Sequence, residues 1–322
     1  MMTSAKETAS TQGLARRVWT LLRYEALSAT KYSFNQLLSS VSPVLASHYI
    51  YRQRLGRPLN LRTPRDFNEK IMWLKLHVYA NNVLATQCGD KYRVRDYVRP
   101  HLGEQVLNPL LHVWDRVEDI AWPDLPRRFA IKCNHGCKYN LICADKSALD
   151  IPGAKKTLKR WYREDWWRRY AEIQYRYIQK KILCEAYIDT GRYLPCDYKI
   201  YCFYGTPRVA LVCMDRETSL ALEWYDLSWN PLDLGRMPNR QKATRPDSFE
   251  QMLEYSRALS KPFPFARIDF YDVRGRPLFG EITLVPAAGM ADYYNEKGNQ
   301  YLGDMLALPS ARKPLSAAYP GS

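Results

Sequence analysis

Two short segments near the C-terminus alternate strictly between apolar and polar positions. They are RIDFY at residues 267–271 and GEIT at residues 280–283, and the DVRGR segment between them has the composition of a tight connection around Gly275. Alternation with a period of two is typical of half-buried strands. The pattern therefore predicts a β-hairpin.

One face of this hairpin carries two opposed carboxylates. A connection centred on the glycine pairs Asp269 with Glu281 and Arg267 with Thr283, all on one side of the ladder. Directly opposed carboxylates destabilise a sheet unless a cation lies between them. Mg²⁺ is usually held by one or two carboxylates, and phosphate oxygens complete its shell. The hairpin therefore predicts a Mg²⁺ site, and a solvated hairpin with scattered charges is the alternative.

Periodicity elsewhere predicts helices mixed with further strands. Predicted strands cover residues 129–133, 140–144, 183–188 and 197–204, and predicted helices cover residues 67–76, 91–98, 155–180 and 248–261. Hairpins flanked by helices are typical of the α+β class, which is the fold class we expect.

Composition narrows the range of partners. The chain has 322 residues, and 48 Lys plus Arg against 33 Asp plus Glu give a net charge of +15. A hydrophobic content of 46% is that of a globular protein. The positive charge favours a polyanionic partner, which could be nucleotide phosphates, acidic polysaccharide, nucleic acid or an anionic membrane surface.

Targeting signals and cysteine usage point to the cytoplasm. The start MMTSAKETASTQG has no apolar signal segment, and the chain has no run of 18 apolar residues. We expect a reduced cytoplasmic protein in which most of the eight cysteines are buried. The spacing of Cys133, His135, Cys137 and Cys143 matches no standard zinc pattern. Residues 14–52 predict basic amphipathic helices, which we expect to pack on the core, with peripheral contact to an anionic membrane as the alternative.

A strand–loop–strand segment is the candidate phosphate-binding loop. The chain has no Walker A loop, GxGxxG, GxSxG or HExxH motif. The NHGCKYN loop at residues 134–140 can present backbone N–H groups and Lys138 to a phosphate, and Lys132 lies just before it. A surface turn between two core strands is the alternative.

The order of several segments resembles the TupA-like ATP-grasp family, which is associated with teichuronopeptide and other cell-surface polysaccharide biosynthesis. The segments are FNEKIMWLKL, GDKYRVRDYV, FAIKCNHG, NLICADKSALD, CEAYI, DYKIYCFYG, ARIDFY, FGEITLVPAAG and LGDML. The resemblance covers residues 51–308 and implies an ATP-grasp domain with two α+β lobes that grip the nucleotide between antiparallel sheets. It implies a lobe boundary near 185–190. The composition of the flanking residues predicts an N-terminal tail and helical extension at 1–50 and a flexible tail at 309–322.

The resemblance also implies a nucleotide site. Lys91 and Lys132 would contact ATP phosphates or the purine edge, and Glu185 would lie where the hinge between the lobes meets adenine. Lys199 would point at the phosphates. The loop would add three further nucleotide-binding residues, His135, Gly136 and Asn140.

The implied chemistry is the activation of a carboxylate by Mg²⁺-ATP to an acylphosphate, followed by attack of an amine to form an amide. Arg267, together with Lys199 and Lys138, would stabilise the transferring phosphoryl group. Asp269 and Glu281 would hold Mg²⁺. Thr283 stands where many ATP-grasp enzymes place an asparagine ligand.

The phosphate loop departs from the family pattern. The family usually has HGSGGN, whereas residues 135–140 read HGCKYN. Loss of glycine restricts positive φ and close approach of the backbone to phosphate. We expect Lys138 to compensate with its charge, and we expect residues 136–139 to be mobile without nucleotide because few apolar side chains anchor them.

Two other functions remain open at this point. The same fold could transfer phosphate to a hydroxyl or a sugar. Alternatively, the basic, aromatic-rich region at residues 155–181 could bind nucleic acid or an acidic glycan without catalysis. For the ligase, the positive charge favours an acidic saccharide or an acidic amino acid as the acceptor.

Overall fold

A computed structural model describes residues 32–190, 195–214, 220–237 and 242–309. The predicted tail at 1–13, the amphipathic stretch from 14 to 31, and the last thirteen residues of the predicted C-terminal tail, 310–322, lie outside the described residues. Within these ranges the chain forms helices and two antiparallel sheets, so the predicted α+β class is confirmed.

The first sheet has four strands in the order β1-β4-β2-β3. Its strands are β1 (Leu110–Trp114), β2 (Phe129–Cys133), β3 (Asn140–Cys143) and β4 (Ile182–Ala186). Phe129, Ile131 and Cys133 are fully buried on one face of β2, whereas Lys132 points to the other face and stays partly exposed. The alternation along β2 therefore separates a core face from a polar face.

The second sheet has six strands in the order β10-β9-β5-β6-β7-β8. Its strands are β5 (Asp197–Phe203), β6 (Thr206–Met214), β7 (Ala221–Tyr225), β8 (Pro231–Leu232), β9 (Phe265–Val273) and β10 (Arg276–Thr283). Strands β9 and β5 are central and carry fully buried Ile200, Ile268 and Phe270. The largest core cluster of the described residues lies around this sheet.

Helices cover the two sheets and join them. They are α1 (Pro43–Leu55), α2 (Phe67–Leu74), α3 (Val83–Gly89), α4 (Val94–Leu102), α5 (Ile151–Arg163), α6 (Trp166–Tyr170), α7 (Phe249–Ser260) and α8 (Glu296–Asp304), and residues 32–41 are also helical. The Asp66 side chain caps α2 by accepting a hydrogen bond from the Glu69 N–H. In the described part of the chain, no helix combines the length and apolar character needed to cross a membrane.

The β9–β10 hairpin turns at Arg274 and Gly275, which both have positive φ. This two-residue turn pairs Val273 with Arg276, one step away from a connection centred on Gly275. A bulge at Gly280 then restores the register and places Glu281 opposite Asp269. The predicted pairing at the site is therefore confirmed.

The prediction of one long helix at 155–180 is wrong. Helix α5 ends at Arg163, and Glu164 adopts an extended conformation with ψ of 139°. The Glu164 carboxylate accepts a hydrogen bond from the Tyr139 hydroxyl at 2.6 Å, and its carbonyl accepts one from Lys180 Nζ at 3.1 Å. These tertiary hydrogen bonds satisfy groups that a continuous helix would use, so the chain breaks there.

Candidate active site

The two sheets meet at a narrow cleft. Side chains of β2 and β4 line it from the first sheet, and side chains of β5, β9 and β10 line it from the second, with a volume of about 250 Å³. Lys132, Lys199, Asp269 and Glu281 all reach this cleft. Residues that are far apart in sequence therefore converge at the junction of the sheets.

Arg267 binds both carboxylates of the hairpin. Its Nε and Nη2 atoms donate to the two oxygens of Asp269, each at 2.7 Å. Nη2 also donates to Glu281 Oε1 at 3.2 Å and to Thr283 Oγ1 at 2.9 Å. The guanidinium thus supplies the cation that two opposed carboxylates require.

The two carboxylates differ in their surroundings. The Asp269 side chain is 2% exposed and that of Glu281 is 44% exposed. Burial raises the pKa of Asp269, and the neighbouring charge of Glu281 adds to this, against the opposing charges of Arg267 and Lys199. For Glu281, desolvation opposes ionisation, but Lys199, Arg267 and Lys91 outweigh it and lower the pKa to about 2. Glu281 is therefore the ionised carboxylate that stays open to a ligand.

Lys199 lies directly across from Asp269 in the β5–β9 ladder. Its Nζ atom donates to Asp269 Oδ2 and lies 3.0 Å from Asp197 Oδ2. Burial alone would lower the Lys199 pKa, but the charges of Asp269 and Asp197 raise it above its usual value. Lys199 is thus a charged, buried lysine at the base of the cleft.

Lys132 forms a second charge cluster on the opposite wall. Its Nζ atom donates to Glu185 Oε2 at 2.6 Å. Arg95 Nη1 lies 3.9 Å from Glu185 Oε1, and Asn108 Nδ2 donates to Glu185 Oε2 at 3.4 Å. Burial opposes the charge of Glu185, yet Lys132, Asn108 and Arg95 together lower its pKa below the usual value. Glu185 therefore fixes the position of Lys132.

Asn134 fixes the base of the predicted phosphate loop. Its Nδ2 atom donates to Asp90 Oδ1 and to the Gln179 carbonyl, both at 2.8 Å, and its Oδ1 atom accepts from Lys181 N at 2.7 Å. Lys91 Nζ donates to the carbonyl of Gly136. A Cβ on Gly136 would lie 2.7 Å from the Tyr139 ring, so the loop needs glycine there.

Lys138 takes the backbone conformation that glycine usually supplies. Its φ is +64°, in the left-handed region that costs an L-residue roughly 1–2 kcal/mol. The side chain is exposed and lines the cleft, as does that of Asn140. The loop thus keeps the left-handed turn and adds a cation at its tip.

The expectation that few apolar side chains anchor the loop is wrong. Tyr139 is 3% exposed and packs against Trp161 and Trp166, with ring centroids 5.6 and 5.5 Å away. Its hydroxyl holds Glu164, as described above. The aromatic ring ties one side of the loop to the core.

His135, which was predicted to bind nucleotide, does not line the cleft. The ring is 2% exposed, and its Nε2 atom donates to the Trp161 carbonyl at 3.1 Å. Burial, with the nearby Lys180 charge, lowers its pKa to about 4. His135 is therefore a neutral, buried residue that packs beside Tyr139 and Tyr162.

Two further predicted residues, Thr283 and Arg267, contact the hairpin carboxylates. Thr283 accepts from Arg267 and its hydroxyl lies 3.2 Å from Glu281 Oε1, so it positions Glu281, and its role as a metal ligand stays a prediction. Arg267 is 8% exposed and lines a different cavity from the cleft. It contacts the hairpin carboxylates, and its predicted contact with a phosphoryl group stays a prediction.

A second chamber of about 390 Å³ adjoins the cleft and shares Cys137, Lys138 and Glu281 with it. Arg267 and Arg169 line it together with Thr283. Cleft and chamber combined fall within the roughly 300–1,000 Å³ of ordinary ligand pockets. The hairpin carboxylates therefore stand between two connected cavities.

Lys75 and Glu172 are buried charged groups near the second chamber, which Glu172 lines. Lys75 Nζ donates to the carbonyls of Tyr170 at 3.0 Å and Ala288 at 3.3 Å. Burial lowers the pKa of Lys75 to about 8 and raises that of Glu172 to about 7. Ala288 has a φ of +57°, so Lys75 holds a strained segment in place.

The oxygen donors of the hairpin match the ligand preferences of Mg²⁺. Among the described residues, no three His, Cys, Asp or Glu side chains are grouped to hold a metal. Asp269 and Glu281 offer hard oxygen ligands on one face, and Mg²⁺ commonly takes one or two carboxylates with phosphates completing its shell. The residues therefore fit a Mg²⁺ ion that arrives with a phosphate ligand.

Sequence reasoning missed three residues of the site. Asp197 and Arg95 were within the quoted DYKIY and GDKYRVRDYV segments, whereas Asn108 had no sequence signal. All three line the cleft and hold its lysines or Glu185. A charged residue inside a recognised segment was the signal that could have identified the first two.

Comparison with known families gives one match. The model of the family described as TupA-like ATPgrasp matches residues 69–307. Comparison with curated proteins gives no significant match.

Several solved structures share part of this architecture. D-alanine–D-alanine ligase from Bacillus anthracis complexed with ATP is 16% identical, with a TM-score of 0.45, over 70% of this chain and 66% of that chain. N5-carboxyaminoimidazole ribonucleotide synthetase in its ADP complex is 12% identical, with a TM-score of 0.42, over 67% of this chain and 50% of that chain. D-cycloserine synthetase is 15% identical, with a TM-score of 0.40, over 69% of this chain and 70% of that chain.

Proposed function

The chain belongs to the TupA-like ATP-grasp family, and from that premise we propose that it is a Mg²⁺-ATP-dependent carboxylate–amine ligase. Its role would lie in the assembly of cell-surface polysaccharide or a related conjugate. We assign residues 51–308 to the ATP-grasp domain, with the lobes meeting near 185–190. All eight cysteines are free, which supports the reducing cytoplasm as its compartment.

One observation carries the proposal. Lysines and carboxylates from both sheets converge in a cleft of about 250 Å³, and the carboxylates pair on a single hairpin. Cations and Mg²⁺ neutralise phosphates, while a carboxylate pair holds the metal. This combination suits a polyphosphate with its metal ion, such as that of a nucleoside triphosphate.

Each group in the cleft has a proposed task. Lys132 and Lys199 bind phosphate oxygens, and Lys138 covers them from the loop. Glu185 and Asn108 orient Lys132, while Asp197 holds Lys199. Asp269 and Glu281 would hold Mg²⁺, which when bound would offset the charge of the phosphates.

The reaction would proceed in two displacements. An acceptor carboxylate oxygen attacks the γ-phosphorus of ATP, the bond to the β,γ-bridging oxygen breaks, and ADP leaves. An amine then attacks the acyl carbon, the bond to the phosphate breaks, and an amide, inorganic phosphate and a proton form. Positioning and charge stabilisation supply most of the rate in such transfers. Arg267 would keep the hairpin carboxylates ionised throughout.

The acceptor would approach through the second chamber. The guanidinium of Arg169 there suits an anionic group, because arginine binds carboxylates in a bidentate manner. An acidic saccharide or an acidic amino acid is therefore the acceptor class that we propose.

The test is ATP turnover by the full chain against a panel of amino acids and uronic-acid sugars, with and without Mg²⁺. We expect ADP, inorganic phosphate and an amide, identified by mass spectrometry. A phosphorylated acceptor with no free phosphate would instead establish a phosphotransferase. Absence of binding at millimolar Mg²⁺-ATP would leave a scaffold that only binds polyanions.

A further inference from the structure

The second chamber continues into two more depressions on the surface. A middle hollow of about 570 Å³ shares Cys137, Lys138, Arg169 and Tyr170 with the chamber. An outer groove of about 810 Å³ along α5 shares Arg160 and Glu164 with the middle hollow. Together the middle hollow and the outer groove form one trough, which leads from the second chamber to the protein surface.

The outer part of the trough carries cations that lack partners. Lys155, Lys156, Arg160 and Arg163 are exposed, and none of them makes an ion pair within the described ranges. Lys156 and Arg160 are four residues apart on α5, where like charges destabilise a helix. The helix therefore retains an electrostatic cost that an anionic ligand would offset.

The middle hollow and the second chamber each contain a side-chain oxygen that no donor of the described residues satisfies. Asn35 Oδ1 in the middle hollow and Gln174 Oε1 in the second chamber are buried and have no partner among the described residues. Gln174 is 3% exposed. A ligand that supplies hydroxyl donors would satisfy these oxygens, whereas the phosphate of a lipid headgroup or a nucleic-acid backbone only accepts.

The length of the groove exceeds one sugar unit. Helix α5 has 13 residues, which at about 1.5 Å per residue gives about 20 Å. The middle hollow adds the aromatic rings of Trp161 and Tyr170, which suit the apolar faces of sugar rings. A flat membrane surface would reach the outer cations but not the hollow.

We propose that the trough binds an acidic oligosaccharide and delivers its terminal carboxylate, through the second chamber, to the hairpin site. The inference rests on the proposed ligase function for the identity of the delivered group. Binding along the trough itself requires no nucleotide, so the two proposals can fail separately.

The test measures binding of fluorescein-labelled hexagalacturonate to the full chain by fluorescence anisotropy, without ATP. The variant carries Lys156→Glu and Arg160→Glu. The matched control carries Arg62→Glu and Arg276→Glu, which change the net charge equally at exposed sites outside the trough. We expect the trough variant to lose about tenfold or more in affinity and the control less than about twofold.

Equal affinities of the trough variant and the control variant for hexagalacturonate would overturn the proposal that the trough binds it. Tighter binding of a thymidine oligonucleotide or of phosphatidylserine vesicles, lost in the trough variant, would overturn the oligosaccharide assignment. If hexagalacturonate binds as expected but no acceptor stimulates ATP turnover, the trough stands and the ligase proposal fails. If the trough variant turns over a monomeric acceptor normally while the wild type shows no hexagalacturonate binding, the ligase stands and the trough fails.

Discussion

Asp269 and Glu281 face each other across β9 and β10, and Nη2 of Arg267 donates hydrogen bonds to both carboxylates. The arrangement is asymmetric, because Asp269 also receives Lys199 and is 2% exposed while Glu281 is 44% exposed. Removal of each carboxylate therefore has a different structural consequence. Glu281 gives the cleaner test of metal binding.

We predict that Glu281→Gln lowers turnover by roughly 10²–10³-fold, the scale of one lost charge-stabilising group. Stability should change by less than about 1 kcal/mol, because Arg267 keeps Asp269 as a partner and the carboxylate repulsion disappears. Turnover as a function of Mg²⁺ concentration and the thermal midpoint measure both effects. Glu254→Gln, on the exposed side of α7, is the matched control. Unchanged Mg²⁺ dependence in Glu281→Gln would remove this residue from the metal site.

Asp269→Asn should behave differently. The amide leaves Arg267 and Lys199 without the carboxylate that both contact in a buried site. Loss of one partner from a buried ion pair costs about 3–5 kcal/mol. We therefore expect Asp269→Asn to lose stability, which urea unfolding measures. A midpoint equal to that of the wild type would contradict this account.

Lys132→Met should weaken ATP binding, and a double variant tests whether the effect is direct. The single change removes both a phosphate ligand and the cation nearest Glu185. In Lys132→Met/Glu185→Gln the side chain at position 185 is a neutral amide, which needs no cation. We expect the affinity, measured by calorimetry, to stay about tenfold or more below the wild type in both variants, the scale of one lost charged hydrogen bond. Recovery of affinity in the double variant would show that Lys132 serves only Glu185.

Lys138 allows charge and backbone to be separated. Lys138→Ala keeps the left-handed strain and removes the charge, whereas Lys138→Gly removes both. We predict that both lower turnover by roughly 10²-fold, and that the glycine variant is about 1 kcal/mol more stable than the alanine variant. Full turnover in Lys138→Gly with a defect in Lys138→Ala would assign the effect to the backbone instead.

Local periodicity was sufficient to predict the strands of the site and which side chains lie on their polar faces. The alternation of Arg267, Asp269 and Glu281 predicted which side chains share a face, because side chains alternate strictly along a strand. The register came out right at the site although the turn lies at Arg274 and Gly275, since the bulge at Gly280 compensates for the difference. A bulge of this kind leaves no clear periodic signal.

The remaining errors concern tertiary contacts. The burial of His135 and Tyr139 depends on Trp161 and Trp166, which lie some 22–31 residues further along the chain. The electrostatic interaction of Lys75 with Glu172 joins two segments that have no common motif. Sequence patterns describe faces of single elements, so they do not reveal which loop side chains a distant helix covers.

The burial of His135 can be tested through the pH dependence of stability. The folded pKa is about 4 against an ordinary 6.5, because burial disfavours the charged ring. The unfolded chain therefore binds more protons between pH 4 and 6.5, and stability rises with pH in that window and is lost as pH falls through it.

We predict that the free energy of unfolding of the wild type, relative to His135→Gln, increases by on the order of 3 kcal/mol from pH 4 to 6.5 and is flat above it. The ATP affinity of His135→Gln at pH 7 should differ from that of the wild type by less than about twofold, because the ring contacts the Trp161 carbonyl and does not line the cleft. Chemical unfolding across pH, with calorimetric titration of ATP, measures both quantities, and His112→Gln on an exposed strand position is the control. A large loss of ATP affinity without pH-dependent stability would return His135 to the nucleotide site.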